Sequence, residues 1–213
     1  MKKVLITGIG GDLGQSISRV ISECFPDFYI YGTDITNLNS GYLFCNKLFM
    51  ISSAIQDSYI DDLSKLIADL NIDLLVPSTE KEISLISNFL INDKFFGVRV
   101  LGIFQEILSI GEDKYITNQW LNKIGIEVPK TWLFNELNEN RINNYLSDFG
   151  NLILKKRIGS GSRNIYKLEN YSDIPSYVFK SSDEWIVQEF LSEENGEYTI
   201  AVSLLDNDFK YIQ

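Results

Sequence analysis

Residues 152–168 read LILKKRIGSGSRNIYKL. An apolar strand ends in three consecutive cations, Lys155, Lys156 and Arg157; a Gly-Ser-Gly-Ser turn follows, and a second strand leaves it through Arg163. This is a β-hairpin pattern, and it makes the second half of the chain an antiparallel unit. Gly159 and Gly161 permit positive φ and let backbone N–H groups come close to a ligand. Oriented amides beside lysines suit a phosphate. The same residues also describe an ordinary hairpin with solvated basic flanks, and a short motif alone does not choose between the two.

Strands dominate outward from the hairpin, at 185–190, 197–205 and 208–212, the last two flanking an Asp206-Asn207-Asp208 turn. Before it, a helix is expected over 112–124, broken at Gly125, then a short strand at 131–133. Ile142, Tyr145, Leu146 and Phe149 form a helical stripe. Residues 111–213 therefore read as an α+β unit.

The first 110 residues read differently. Apolar strands at 3–7, 28–31, 48–51, 73–76 and 98–101 alternate with helical stripes, one of them Leu63, Leu66, Ile67 and Leu70. Such alternation implies a doubly wound parallel sheet. Gly8, Gly10, Gly11 and Gly14 follow the first strand and open a helix, which approximates a dinucleotide fingerprint, and Asp34 ends the second strand where a ribose-binding acid would sit. The same turn also serves to fold a tight βαβ unit without a cofactor. The helix stripe Leu13, Ile17, Val20, Ile21 and Cys24 is expected to face the core, with Cys24 buried. Ser78 or Thr79 is expected to cap the helix that follows Pro77, and the 77–80 turn could also hold a small anion.

Composition narrows the chemistry. The net charge of −10 argues against a general nucleic-acid or anionic-membrane binder. The 213 residues contain no histidine, which removes imidazole bases and His-ligated metals, and the two cysteines offer no zinc spacing. No run is long enough to span a bilayer, and a reducing, cytoplasmic setting fits. None of the eleven tyrosines has a lysine four residues on, so the Tyr-x-x-x-Lys pair of short-chain dehydrogenases is missing.

Four segments occur in a telling order: Glu112-Asp113-Lys114 opening a helix whose end is the Leu121–Ile124 stretch leading through Gly125 to Pro129, the basic Gly-Ser hairpin, Trp185-Ile186-Val187-Gln188-Glu189-Phe190-Leu191, and Gly196-Glu197-Tyr198-Thr199-Ile200-Ala201-Val202. This order resembles the first part of an ATP-grasp ligase, and is most similar to proteins related to the carbamoyl phosphate synthase large subunit. The resemblance implies a Rossmann-like pre-ATP-grasp domain over 1–110 and the N-terminal part of an ATP-grasp domain over 111–213. It implies that ATP is bound by Lys114 and Lys155 at its phosphates. Gly159, Ser160, Gly161, Ser162 and Arg163 would form the loop over those phosphates. Backbone groups of Glu189, Phe190 and Leu191 would read the adenine, and Glu197 would hold the ribose. The parent activity is ATP-dependent carboxylate–amine ligation through an acylphosphate, with a small-molecule carboxylate as partner; a homodimer is compatible with it. No catalytic residue is assigned. The family's Mg²⁺ ligands are expected beyond Gln213, so the chain is expected to be incomplete for catalysis and to bind ATP weakly. Two departures stand out: Lys156 replaces a usual proline, and Asn164 a common glycine. The alternatives are an NAD(P)-dependent oxidoreductase using the Gly8–Gly14 turn, and a non-catalytic nucleotide-binding module.

Overall fold

Strands that are apolar on both faces need cover on both faces, and the first unit provides it. In a computed structural model, β1 (Lys2–Ile6) buries Leu5 on one side and Val4 and Ile6 on the other. The structure describes residues 1–102, 105–159, 164–192, 194, 196, 198, 201–205 and 208–212, with only the backbone course given for 105, 106, 201–205 and 208–212. It divides into two compact units, Met1–Leu108 and Ser109–Gln213.

In the first unit β2 (Phe28–Asp34), β3 (Lys47–Met50), β4 (Leu74–Val76) and β7 (Val98–Val100) join β1 in parallel. Two short strands, β5 (Leu90–Ile91) and β6 (Lys94–Phe95), add an antiparallel edge. The order is β3-β2-β1-β4-β7-β6-β5. Helix α1 (Asp12–Cys24) packs Ile17 and Ile21 on the Val4 side. Helices α2 (Tyr59–Leu70) and α3 (Glu80–Ser87) pack Tyr59, Leu63, Ile67 and Ile86 on the Leu5 side. Successive strands step outward from β1 to β2 and β3, then reverse to β4, so the strand order switches direction between β1 and β4.

Several expectations are corrected here. The sheet is mostly, not wholly, parallel, because the Asn92–Asp93 turn, both residues at positive φ, folds β5 back on β6. The helix that follows Pro77 ends at Ser87, ahead of this edge hairpin. On α1, the buried stripe is Gly14, Ser18 and Ile21 rather than the five apolar positions. Leu13, Val20 and Cys24 are exposed. The cause is Gly14: a Cβ there would lie 2.6 Å from the Gly8 carbonyl oxygen, so the helix presses its glycine face to the turn and rotates its neighbours outward.

The second unit is built on β8 (Thr131–Leu133), β9 (Leu152–Lys156), β10 (Ile165–Leu168) and β11 (Trp185–Glu189), antiparallel in the order β10-β9-β11-β8. Helix α6 (Glu139–Phe149) is fixed by its cap, Asn138, whose side chain accepts from Arg141 N. Ile142 of α6 packs with Leu152, Leu154, Leu168, Trp185 and Val187. By the alternation of strands, Ile153 and Lys155 of β9 and Ile186 and Gln188 of β11 lie on the opposite face. The helix expected over 112–124 is α5 (Lys114–Lys123), and a further helix, α4 (Gln105–Glu112), precedes it. Asp113 between them has extended φ/ψ, which ends one helix and caps the next. Strands β12 (Ala201–Leu205) and β13 (Asp208–Ile212) pair antiparallel, with Leu205 opposite Asp208; residues 206–207 of the expected turn lie outside the described residues. No described helix is long and apolar enough to cross a membrane.

Candidate functional site

Three of the four cations expected to crowd the hairpin can be placed, and they do different things. Lys156 pairs with Glu184, Nζ to Oε2 at 2.5 Å, and lies over the Trp185 ring. Arg157 donates to both carboxylate oxygens of Asp113, with Nη2 2.6 Å from Oδ2. The sequence reading counted both as free positive charge; their acidic partners correct it. Arg163 lies outside the described residues, as do Ser160, Gly161, Ser162 and Glu197.

Lys155 has no acidic partner among the described residues. Its Nζ donates to Gln188 Oε1 at 2.7 Å. Burial, and then the charge of Lys114, hold its ammonium pKa below the ordinary lysine value. Lys114 is the first residue of α5. Its backbone N–H donates to Arg157 O at 3.0 Å, and its Nζ donates to Gly159 O at 2.5 Å. An isolated bridge between Asp113 and Ile158 and the Asp113–Arg157 pair fix the start of α5 against the exit of β9. The two lysines are thus near enough for one charge to act on the other, and among the described residues each donates to neutral oxygens.

Asp113 itself is 6% exposed. It accepts from the Tyr115 and Ile116 amides, at 2.9 and 3.3 Å. Burial alone would raise its pKa, but the Arg157 bond and these two amides outweigh it and hold the carboxyl below its usual range. Gly159 has φ +137°, and Asn164, on the far side of the loop, has φ +57°. Asn164 therefore adopts the conformation for which a glycine is common, and asparagine tolerates it better than most residues.

The expected hinge is partly engaged with its own unit. Glu189 is clamped on Lys130: its N–H donates to Lys130 O at 2.9 Å, and its Oε2 accepts from Lys130 N at 3.1 Å. The Phe190 N–H donates to Asn151 O at 3.3 Å, and Lys167 lies 5.2 Å from the Phe190 ring centroid. Leu191 is exposed, and among the described residues no carbonyl accepts from its N–H.

The Gly8–Gly14 turn of the first unit is closed by that unit's own side chains. Gly10 N donates to Asp34 Oδ2 at 2.8 Å, and a Cβ on Gly10 would lie 2.7 Å from the Asn39 side chain. Ser78 Oγ donates to Thr7 O at 2.6 Å. Thr79 is the N-cap of α3, accepting from Glu82 N. Glu82, 7% exposed, accepts from Thr7, Thr79 and Tyr59 hydroxyls at 2.8, 2.7 and 2.8 Å. Burial, then the Glu82 charge, push the Tyr59 phenol far above its ordinary pKa. Among the described residues no group of three or more Asp, Glu, Cys or His side chains is placed to hold a metal ion.

Sequence reasoning did not single out Asp113, Gln188 or Thr131 as site residues. The N-cap position of Asp113 was the available signal. The Gln188–Lys155 contact depends on strand register and had none.

Residues 111–209 match the ATP-grasp domain family. The ATP-grasp match covers the four-stranded sheet, α5, β12 and the first two residues of β13. A curated relative, the uncharacterized MG011 homolog of Mycoplasma pneumoniae, is 29% identical over 94 residues, 44% of this chain and 30% of that protein. Among solved structures, N5-carboxyaminoimidazole ribonucleotide synthetase from Thermotoga maritima aligns at TM-score 0.61 and 23% identity, over 89% of this chain and 46% of that one. Carboxyaminoimidazole ribonucleotide synthase from Aspergillus clavatus, complexed with ATP, aligns at TM-score 0.69 and 15% identity, over 99% and 52%. At these identities the likeness is one of fold. The chain spans about half the length of these two structures and less than a third of the curated relative.

Proposed function

We propose that this chain binds ATP at the Lys155 side of the β8–β11 sheet, on the face opposite α6, and serves ATP-dependent ligation of a small-molecule carboxylate. The observation that carries the reading is the Lys114–Lys155 pair: two ammonium groups, brought together from α5 and β9, without a carboxylate between them among the described residues. A polyphosphate would relieve their mutual repulsion and accept charge-assisted hydrogen bonds from both. The adenine would be read at the hinge through the Leu191 N–H, because the Glu189 and Phe190 amides already donate to Lys130 and Asn151. Ser160, Gly161, Ser162, Arg163 and Glu197 would complete the phosphate and ribose contacts.

In the ligation, a carboxylate oxygen of the substrate attacks the γ-phosphorus and the bond to ADP breaks. An amine then displaces inorganic phosphate from the acylphosphate and loses a proton. The lysines stabilise charge on the transferring group rather than supply a covalent nucleophile. Mg²⁺ would neutralise phosphate charge further. Kinship to carbamoyl phosphate synthase is the narrower form of the reading, carried by the order of the four segments alone. The first unit would bind the carboxylate substrate through its own loops after Gly8 and after Val76.

Parallel titrations with ATP and NADH test the reading. Saturable ATP binding that NADH does not displace is expected. Saturation by NADH with poor competition from ATP would favour the dinucleotide alternative at the Gly8–Gly14 turn.

A further inference from the structure

On the face of the second sheet opposite α6, three side chains form a directed relay that ends at Lys155. Thr131 Oγ1 donates to Pro129 O at 2.9 Å. A threonine hydroxyl has a single proton, so toward Gln188 it can only accept. Gln188 Nε2 donates to it at 2.7 Å, which turns the amide oxygen of Gln188 to Lys155 Nζ at 2.7 Å. The register makes this possible: Thr131 and Ile153 both pair with Gln188, and Lys155 pairs with Ile186, two residues before it. Diagonal neighbours on one face of a sheet lie within reach of long side chains.

The other placed cations around the hairpin are bound by acids: Lys156 by Glu184, Arg157 by Asp113 and Lys167 by Glu169. Lys155 alone among these four is held by an amide. An amide oxygen restricts where the ammonium group lies without cancelling its charge, whereas a carboxylate at the same position would cancel it. Among the described residues the charge that acts on Lys155 is that of Lys114 from α5; β11 contributes the neutral Gln188, and Thr131–Leu133 of β8 carries no charge.

We propose that Gln188 is a positioning residue, oriented by Thr131, that presents Lys155 to the phosphates of a bound nucleotide with its charge intact. The proposal rests on the ATP reading above. Neither Thr131 nor Gln188 need touch the phosphates.

The test is ATP affinity of the whole chain together with the Lys155 ammonium pKa, read by NMR of labelled lysine side chains. Gln188→Glu should raise that pKa and weaken ATP about tenfold, by cancelling a charge-assisted contact. Thr131→Val should weaken ATP about threefold, the scale of one neutral hydrogen bond, and Thr131→Ser should restore it. In a Lys155→Met background Thr131→Val should have no further effect, because the relay then has nothing to position. If Gln188→Glu leaves the Lys155 pKa unchanged, or Thr131→Val binds ATP as the parent chain does while Lys155→Met binds it poorly, the positioning role is wrong and the nucleotide site stands. If Lys155→Met itself binds ATP as the parent does, or the parent binds none, the nucleotide reading falls and the proposal with it.

Discussion

Arg157 grips Asp113 through two nitrogens, Nη2 at 2.6 Å and Nε at 3.1 Å from Oδ2, and so fastens the exit of β9 to the first turn of α5. One carboxylate thereby caps a helix and compensates a hairpin cation. It also leaves Lys114, the next residue, on the Lys155 side of the junction.

Asp113→Ala should therefore cost about 2–4 kcal/mol, the sum of a lost N-cap and a guanidinium left partly buried without its partner. Asp113→Asn, which keeps a capping oxygen, should cost less. Because the Asp113 pKa is depressed in the folded chain, its contribution is present above the unfolded carboxylate value of about 4 and is lost as pH falls through the folded one. Denaturant midpoints between pH 3 and 7 should show this acid-sensitive component in the parent chain and its loss in Asp113→Asn. A parallel pH profile for the two chains would contradict the assignment.

Lys155 titrates in the opposite sense. Its folded pKa is lowered, so it loses its charge earlier on the alkaline side than an ordinary lysine. ATP affinity should fall as pH rises toward 10, and that limb should be shallower in Lys155→Met. Calorimetric titrations at pH 7, 8.5 and 9.5 measure it; an alkaline limb unchanged by the substitution would place the titrating group elsewhere.

Two glycine substitutions should have opposite signs. A Cβ on Gly14 would meet the Gly8 carbonyl oxygen at 2.6 Å, whereas one on Gly111 would meet nothing within 4 Å. Gly14→Ala should destabilise the first unit by about 2 kcal/mol or more, the scale of overpacking against backbone. Gly111→Ala, inside α4, should stabilise by up to about 1 kcal/mol. Urea unfolding of both variants checks the pair; equal effects would show that the α1 approach is looser than this geometry.

Glu82 is the polar centre of the first unit, since three hydroxyls donate to it beneath the Gly8 turn. Glu82→Ala should cost about 3 kcal/mol or more by leaving those groups without an acceptor. Tyr59→Phe, which removes one donor and leaves the others, should cost about 1 kcal/mol. Thermal unfolding of the two variants orders them, and a larger loss for Tyr59→Phe would contradict the role of Glu82 as the hub.

Much of this was legible in the sequence, for reasons that can be named. Strand β9 was read with its observed ends because Leu152 and Leu154 are apolar, cations follow, and a glycine turn closes the run. The parallel strands were read because both their faces are buried. The short hairpin at Asn92–Asp93 was not read, because two-residue strands carry no periodicity. Helix α4 has no counterpart in the sequence expectation, and the Asp113 cap marks where α5 begins after it. Exposure of Cys24 could not be foreseen, since a steric contact between Gly14 and Gly8 sets the rotation of α1. In the candidate site, Lys114 and Lys155 were named from their motif positions, but the partners that separate them from Lys156 and Arg157 come from distant segments. Asp113 and Arg157 are 44 residues apart, and Gln188 lies 33 from Lys155. Such pairs follow from register, which a single sequence does not disclose.

The central claim is that the uncompensated Lys114–Lys155 pair receives the phosphates of ATP. Its most direct test is calorimetric titration of ATP into the parent chain, Lys155→Met, Lys114→Met and the compensated control Lys156→Met. The account predicts saturable binding by the parent and by Lys156→Met, with affinity reduced about tenfold or more in each of the other two. Equal affinity in all four chains, or a loss confined to Lys156→Met, would contradict it.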